Sequence, residues 1–94
     1  MRVRWFSQAL GDLVALREYI ARDKFVAASV VAERIRLRVK QLADQPEMGR
    51  SGRVEGTREL VIVDTPYLVA YRIKADEIQV LRVFHHAQQW PKTI

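Results

Sequence analysis

The residues that could do chemistry in this sequence are few and lie mostly in its second half. His85-His86 closes an apolar run, and a histidine can serve as general acid or base because its unperturbed pKa lies near neutrality. A hydrogen-bonded structural role is the alternative. Read as neighbours on a strand, the two rings point to opposite faces and cannot share a metal ion. With no cysteine and no helical His-x-x-x-His, no metal site and no cofactor are expected. Arg58 would share a strand face with Leu60 and Ile62, and Arg82 one with Ile78, Val80 and Phe84. Either arginine marks an active or partner-facing surface, or its stem covers apolar surface while its head reaches water. Tyr67 and Tyr71 share a face and could stack on a base or pack in the core. Gly49-Arg50-Ser51-Gly52-Arg53 lacks the spacing of a phosphate loop and leads into a strand, so Arg50 and Arg53 read as a mobile connector or as contacts for a partner. Trp90-Pro91 reads as a tail clasp or a stacking platform. No Ser/His/Asp or Cys/His nucleophile set is present.

The elements that must position these residues follow from hydrophobic periodicity. Arg2-Val3-Arg4-Trp5-Phe6 alternates as a short strand with Val3 and Trp5 on one face. Ser7 is the expected N-cap of a first helix, with Leu10, Leu13, Leu16 and Ile20 on its apolar side and Asp12 near its positive end. A second helix from about Val26 carries Ala28, Val31, Ala32, Ile35, Val39 and Leu42 at steps of three and four. The short break between them predicts an antiparallel hairpin. Asp44 to Thr57 reads as a loop. Three strands are expected after it: Arg58–Asp64, Tyr67–Ile73 and Ile78–His85, close enough to form an antiparallel meander. In the last, Ile78, Val80, Arg82 and Phe84 should share one face and Gln79, Leu81, Val83 and His85 the other. The expected fold is α+β, in the order β-αα-βββ, with the hairpin packed on a largely antiparallel four-stranded sheet.

A chain of 94 residues fits a single domain, 1–94. Its 49% hydrophobic content supports a core, no disulfide framework can reinforce it, and no run approaches a membrane span. The expected compartment is the cytoplasm. Lys and Arg number 16 against 11 Asp and Glu, giving +5, and 12 of the 16 are arginine. The excess is spread along the chain, so a polyanion or an acidic protein fits it without any basic tail.

Several motifs, in order, carry a resemblance. They are Trp5 with Ser7-x-Ala9-x-x-Asp12-Leu13 and Tyr19-Ile20; Leu42 to Arg50 (LADQPEMGR); Gly52-Arg53-Val54-x-Gly56-Thr57-Arg58-Glu59-Leu60-Val61; Pro66-Tyr67-Leu68-Val69-Ala70-Tyr71-Arg72; and Leu81-Arg82-Val83-Phe84-His85 through Trp90-Pro91. In this order they resemble the RelE/ParE superfamily of type II toxin–antitoxin toxins, in its ParE-like, plasmid-stabilisation branch. The resemblance covers essentially the whole chain. It implies a cytoplasmic growth-inhibiting toxin, neutralised by a small antitoxin whose acidic C-terminal segment wraps it, with operator DNA bound only through that antitoxin.

The superfamily divides over mechanism. RelE-like members cut mRNA on the ribosome with arginines and lysines, whereas ParE-like members poison DNA gyrase. Leu68 stands where the ribonuclease branch tends to carry an arginine, and Arg58–Val63 lacks that branch's lysines. The favoured expectation is therefore gyrase poisoning, with Arg50, Arg53, Tyr67, Tyr71, Arg82 and Trp90 contacting a partner or target. The alternative is a ribosome-dependent endoribonuclease using Arg58, Glu59 and His85, and a nontoxic antitoxin-binding module is a further one.

Overall fold

Arg2–Trp5 forms strand β1, and the chain passes from it almost directly into a helix. The computed structural model describes all 94 residues. After β1 come helices α1 (Ser7–Ala21) and α2 (Phe25–Lys40), a 3-10 turn at Gln41–Ala43, and strands β2 (Arg50–Ser51), β3 (Arg58–Val61), β4 (Tyr67–Lys74) and β5 (Glu77–His85). The strands form one sheet in the order β1-β5-β4-β3-β2. β1 runs parallel to β5, and the other pairings are antiparallel. The fold is α+β, a helical hairpin on a mixed sheet. The sheet has five strands where four are expected, because the loop contributes Arg50 and Ser51 as a short edge beside Glu59 and Arg58. No helix is long and apolar enough to cross a membrane.

The β1 ladder reaches one residue past the strand, with the Phe6 N–H donating to Val80 O at 2.9 Å. Phe6 therefore takes the N-cap position expected for Ser7, its carbonyl accepts the Leu10 N–H, and Ser7 is the first helical residue. The buried stripe of α1 accordingly runs through Ala9 and Leu16, with Leu13 and Ile20 beside them, while Leu10 is exposed. On α2, Ala28 and Ala32 are buried with Ile35 and Val39, two small side chains that let the helix approach closely. Burial of this face is the main source of stability, because apolar area removed from water contributes roughly 25 cal/mol per Å².

The helix-facing side of the sheet holds Leu60, Ile62, Tyr67, Val69, Tyr71, Ile78, Val80 and Val83. A β-bulge explains the last of these. Tyr71 pairs with Val80 but Ala70 pairs with Arg82, leaving Leu81 as the extra residue. The expected alternation along β5 is thereby reversed beyond Leu81. Val83 joins the helical core, and Phe84 lies on the opposite, open face with Leu68 and Ala70. The open face has no helix over it. Trp90 and Ile94 of the C-terminal tail pack there instead.

Candidate functional site

The loop between the 3-10 turn and β3 is tied down from three sides by residues flagged in the sequence. Tyr71 is completely buried. Its hydroxyl accepts the Gly49 N–H at 2.9 Å and donates to Pro46 O at 2.8 Å. A Cβ on Gly49 would lie 2.6 Å from the Tyr71 ring, so only glycine permits this approach. Arg58, paired with Tyr71 across the sheet, donates from Nη1 to Gly49 O at 2.9 Å. Glu59 points to the opposite, open face, as strand alternation requires.

Glu59 is only 3% exposed and is surrounded by donors. Its Oε2 accepts the Arg53 N–H at 2.7 Å and Arg53 Nε at 3.2 Å, and its Oε1 accepts Arg50 Nη2 at 3.2 Å. Burial alone would raise its pKa. The Arg53 amide, the Arg53 guanidinium and Arg50 together outweigh that and hold the carboxyl below its usual range. Glu59 is thus a fixed anion that orders two arginines, with no proton to exchange near neutral pH.

A second buried carboxylate orders the other end of the open face. Glu77 accepts Arg2 Nη2 at 2.7 Å, Arg4 Nη1 at 3.1 Å and Gln79 Nε2 at 3.0 Å. Hydrogen bonds from Arg2 and then Gln79 hold its pKa low. Arg72 Nε donates to Gln79 Oε1 at 2.6 Å, and the Arg4 guanidinium lies 4.7 Å from the Phe6 ring centre. Arg2, Arg4 and Arg72 are not among the candidates expected from sequence. The available signal was the Arg-x-Arg alternation of β1, which faces both arginines away from Val3 and Trp5. The open face therefore presents five arginines around two buried carboxylates, a net positive surface.

The remaining candidates do not join this face as a catalytic set. His85 pairs with Tyr67, whereas Arg58 pairs with Tyr71 four residues along β4. That separates the two by roughly 13 Å along the strand direction at ~3.3 Å per residue, with β4 between them. The His85 Nδ1 accepts the Ala87 N–H at 3.1 Å, and the ring meets Tyr67 edge-on at 5.4 Å. β5 ends at His85 and the chain turns, so the His86 ring stacks on His85 at 4.7 Å instead of facing away. Tyr67 is buried in the helical core, and burial, then the neighbouring Tyr19, raises its pKa. Tyr67 and Tyr71 are consequently packing residues whose rings are not free to stack on a base.

Arg82 is held as well. Its Nε and Nη2 donate to both oxygens of Asp12 at 2.7 and 3.1 Å, and Asp12 also accepts the Val83 N–H at 2.9 Å. β1 has turned away into α1 at this point, so Asp12 covers a strand amide that no neighbour pairs. This is its role in place of the expected helix-dipole one, since it lies beyond the first turn of α1. The Asp12 hydrogen bond raises the Arg82 pKa further. Trp90, by contrast, sits on the open face. Its ring stacks on Phe84 at 4.2 Å, and the Arg53 guanidinium covers it at 3.8 Å.

Known proteins are similar to this chain in sequence and in fold. Y4kP of Sinorhizobium fredii (strain NBRC 101917 / NGR234) is 44% identical over 93 residues, which is 99% of this chain and 96% of that protein. Toxin RelE2 of Caulobacter vibrioides is 36% identical over 87 residues, 93% of this chain and 97% of that one. Among solved structures, a chain of the chromosomal ParDE TA system from P. aeruginosa superposes with a TM-score of 0.83 at 28% identity, covering 90% of this chain and 95% of its own. The family model for the ParE toxin of the type II toxin–antitoxin system parDE matches residues 3–90. The chain belongs to this ParE toxin family, within the RelE/ParE superfamily of type II toxins.

Proposed function

We propose that this toxin inhibits growth by binding DNA gyrase, without cutting nucleic acid, in the cytoplasm of the cell that makes it. One observation carries the reading: the three groups an mRNA-cleaving site would need are dispersed. Glu59 is a buried anion saturated by arginine donors, Arg58 is engaged with loop carbonyls, and His85 lies at the far end of another strand. Phosphoryl chemistry needs an acid, a base and a phosphate ligand within reach of one another. A role in binding needs only the preordered cationic face. A small antitoxin with an acidic C-terminal segment is the expected neutralising partner, by charge and by likeness to the ParDE TA system, and operator DNA is contacted through it.

Expression of the toxin alone tests this. SOS induction and gyrase-dependent linear plasmid are expected, and unaffected supercoiling by purified gyrase would overturn the proposal. Likeness to Toxin RelE2 favours a second reading, the ribosome-dependent endoribonuclease. Primer extension on a translated message showing A-site cuts that disappear in Arg58→Ala plus His85→Ala would select it.

A further inference from the structure

The tail crossing the open face is attached unlike any other part of the chain. After the Gln88 N–H, which donates to His85 O at 2.9 Å, no hydrogen bond ties residues 89–94 to the protein. What holds this stretch is Trp90, stacked between Phe84 and Arg53, and Ile94 against the same small cluster. The Trp90 seat is also imperfect: its indole Nε1 is buried with no acceptor. An indole N–H withdrawn from water without a partner works against the contact that buries it. A ring that fills a slot while its polar handle goes unmet is a poor permanent occupant.

We infer that the slot between Phe84 and Arg53 is a binding site for an aromatic side chain carried on an acidic peptide segment, and that Trp90 occupies it in the free toxin. The floor is apolar, formed by Leu68, Ala70 and Phe84. Its lid is cationic, because Glu59 fixes Arg53 and Arg50 at one side of it. Ring stacking and cation–π attraction select the aromatic group. The arginine excess of the same face selects the acidic flanks. The acidic character of the partner rests on the antitoxin reading above; the slot itself does not. Tail release is then part of binding, and the closed tail lowers apparent affinity by the fraction of time it blocks the slot.

The probe is a short fluorescein-labelled peptide of glutamates flanking one phenylalanine, followed by anisotropy. Binding is expected, and replacing its phenylalanine by alanine should weaken it about tenfold, the range of a lost aromatic stack. Trp90→Ala should bind the probe about three- to tenfold tighter, since the internal competitor is gone. Arg53→Gln should weaken binding. In a Trp5→Phe background, Trp90 emission should shift to the red as the probe displaces it. Equal or weaker binding by Trp90→Ala would overturn the inference, as would indifference to the probe's phenylalanine. Preferential displacement of the probe by oligothymidylate would also overturn it and assign the slot to nucleic acid. A negative gyrase assay leaves this titration unaffected, and a failed titration leaves a gyrase result standing.

Discussion

The two faces of the sheet are built on different physics. On the helix side, thirteen buried apolar residues form one continuous cluster closed by the chain's own helices. On the open side, the apolar cluster is three buried residues wide, and cohesion comes from arginines gathered around Glu59 and Glu77. The helical core is finished by folding. The open face is ordered by folding but covered only by a tail that lacks hydrogen bonds past Gln88. A small toxin can in this way keep a rigid scaffold and a removable cover in one short chain.

The contrast predicts a hierarchy of mutational effects. Tyr71→Ala should be the most damaging, by about 3–5 kcal/mol, because it leaves a cavity and frees the loop at Gly49 and Pro46. Tyr71→Phe keeps the ring and strands only the polar groups, so about 1–3 kcal/mol is expected. Denaturant unfolding of both variants checks this. A near-neutral Tyr71→Phe would mean that the loop is held chiefly by Arg58.

Next comes the open face's own anchor. Glu59→Gln keeps shape but removes the charge that Arg50 and Arg53 share, for an expected loss of about 1–2 kcal/mol, reduced because both guanidinium groups are half exposed. The Glu59 pKa is lowered from 4.5 in the folded chain. Its stabilisation is therefore full above the unfolded value and lost as pH falls through the folded one. Stability of the parent chain should drop below about pH 4.5, and Glu59→Gln should flatten part of that slope, leaving the share due to Glu77. An unchanged acid limb would show that the open face is not held by this carboxylate.

A smaller effect of opposite sign comes from the β4–β5 turn, which serves both faces alike. Ala75 and Asp76 both adopt positive φ, at 55° and 59°. Two successive left-handed residues fit a hairpin turn that favours Asn-Gly. Ala75→Asn with Asp76→Gly should stabilise the chain by about 1 kcal/mol without altering probe binding to the open face. A change in binding would couple the turn to that face and blur the distinction.

Much of this architecture is legible in the sequence, and the rest is hidden for identifiable reasons. The hairpin and strands β3, β4 and β5 follow from periodicity, and the opposed directions of Arg58 and Glu59 follow from strand geometry. β3 nevertheless ends at Val61 and not at the expected Asp64, because the chain turns there, with the Thr65 N–H donating to Ile62 O. The Leu81 bulge leaves no compositional mark, yet it moves Val83 into the core and Phe84 out of it. Strand β2 is two residues inside a glycine-rich stretch, where only tertiary pairing to Glu59 and Arg58 defines it. The tyrosines illustrate the limit for the site. Their shared face is evident, but whether that face meets helices or solvent depends on packing, and it meets helices. Asp12 is likewise invisible as a partner of Arg82, 70 residues away.

The smallest expected effect tests the contrast most sharply. Trp90→Ala removes the apolar burial of a large ring, worth about 1.5–3 kcal/mol, with a stack worth about 0.5–1.5 kcal/mol beyond it and a cation–π contact worth about 0.5–1 kcal/mol. It also removes a buried N–H without an acceptor, which offsets about 1–3 kcal/mol, and it returns conformational freedom to a tail that no hydrogen bond holds past Gln88. The net loss should be about 1 kcal/mol or less, with no change in the denaturant slope, read from backbone circular dichroism. Greater acrylamide access to Trp5 is not expected, because Trp5 packs on the helical side. A loss approaching that of Tyr71→Ala would make the tail a part of the core, and the open face would then be no more available to a partner than the buried one.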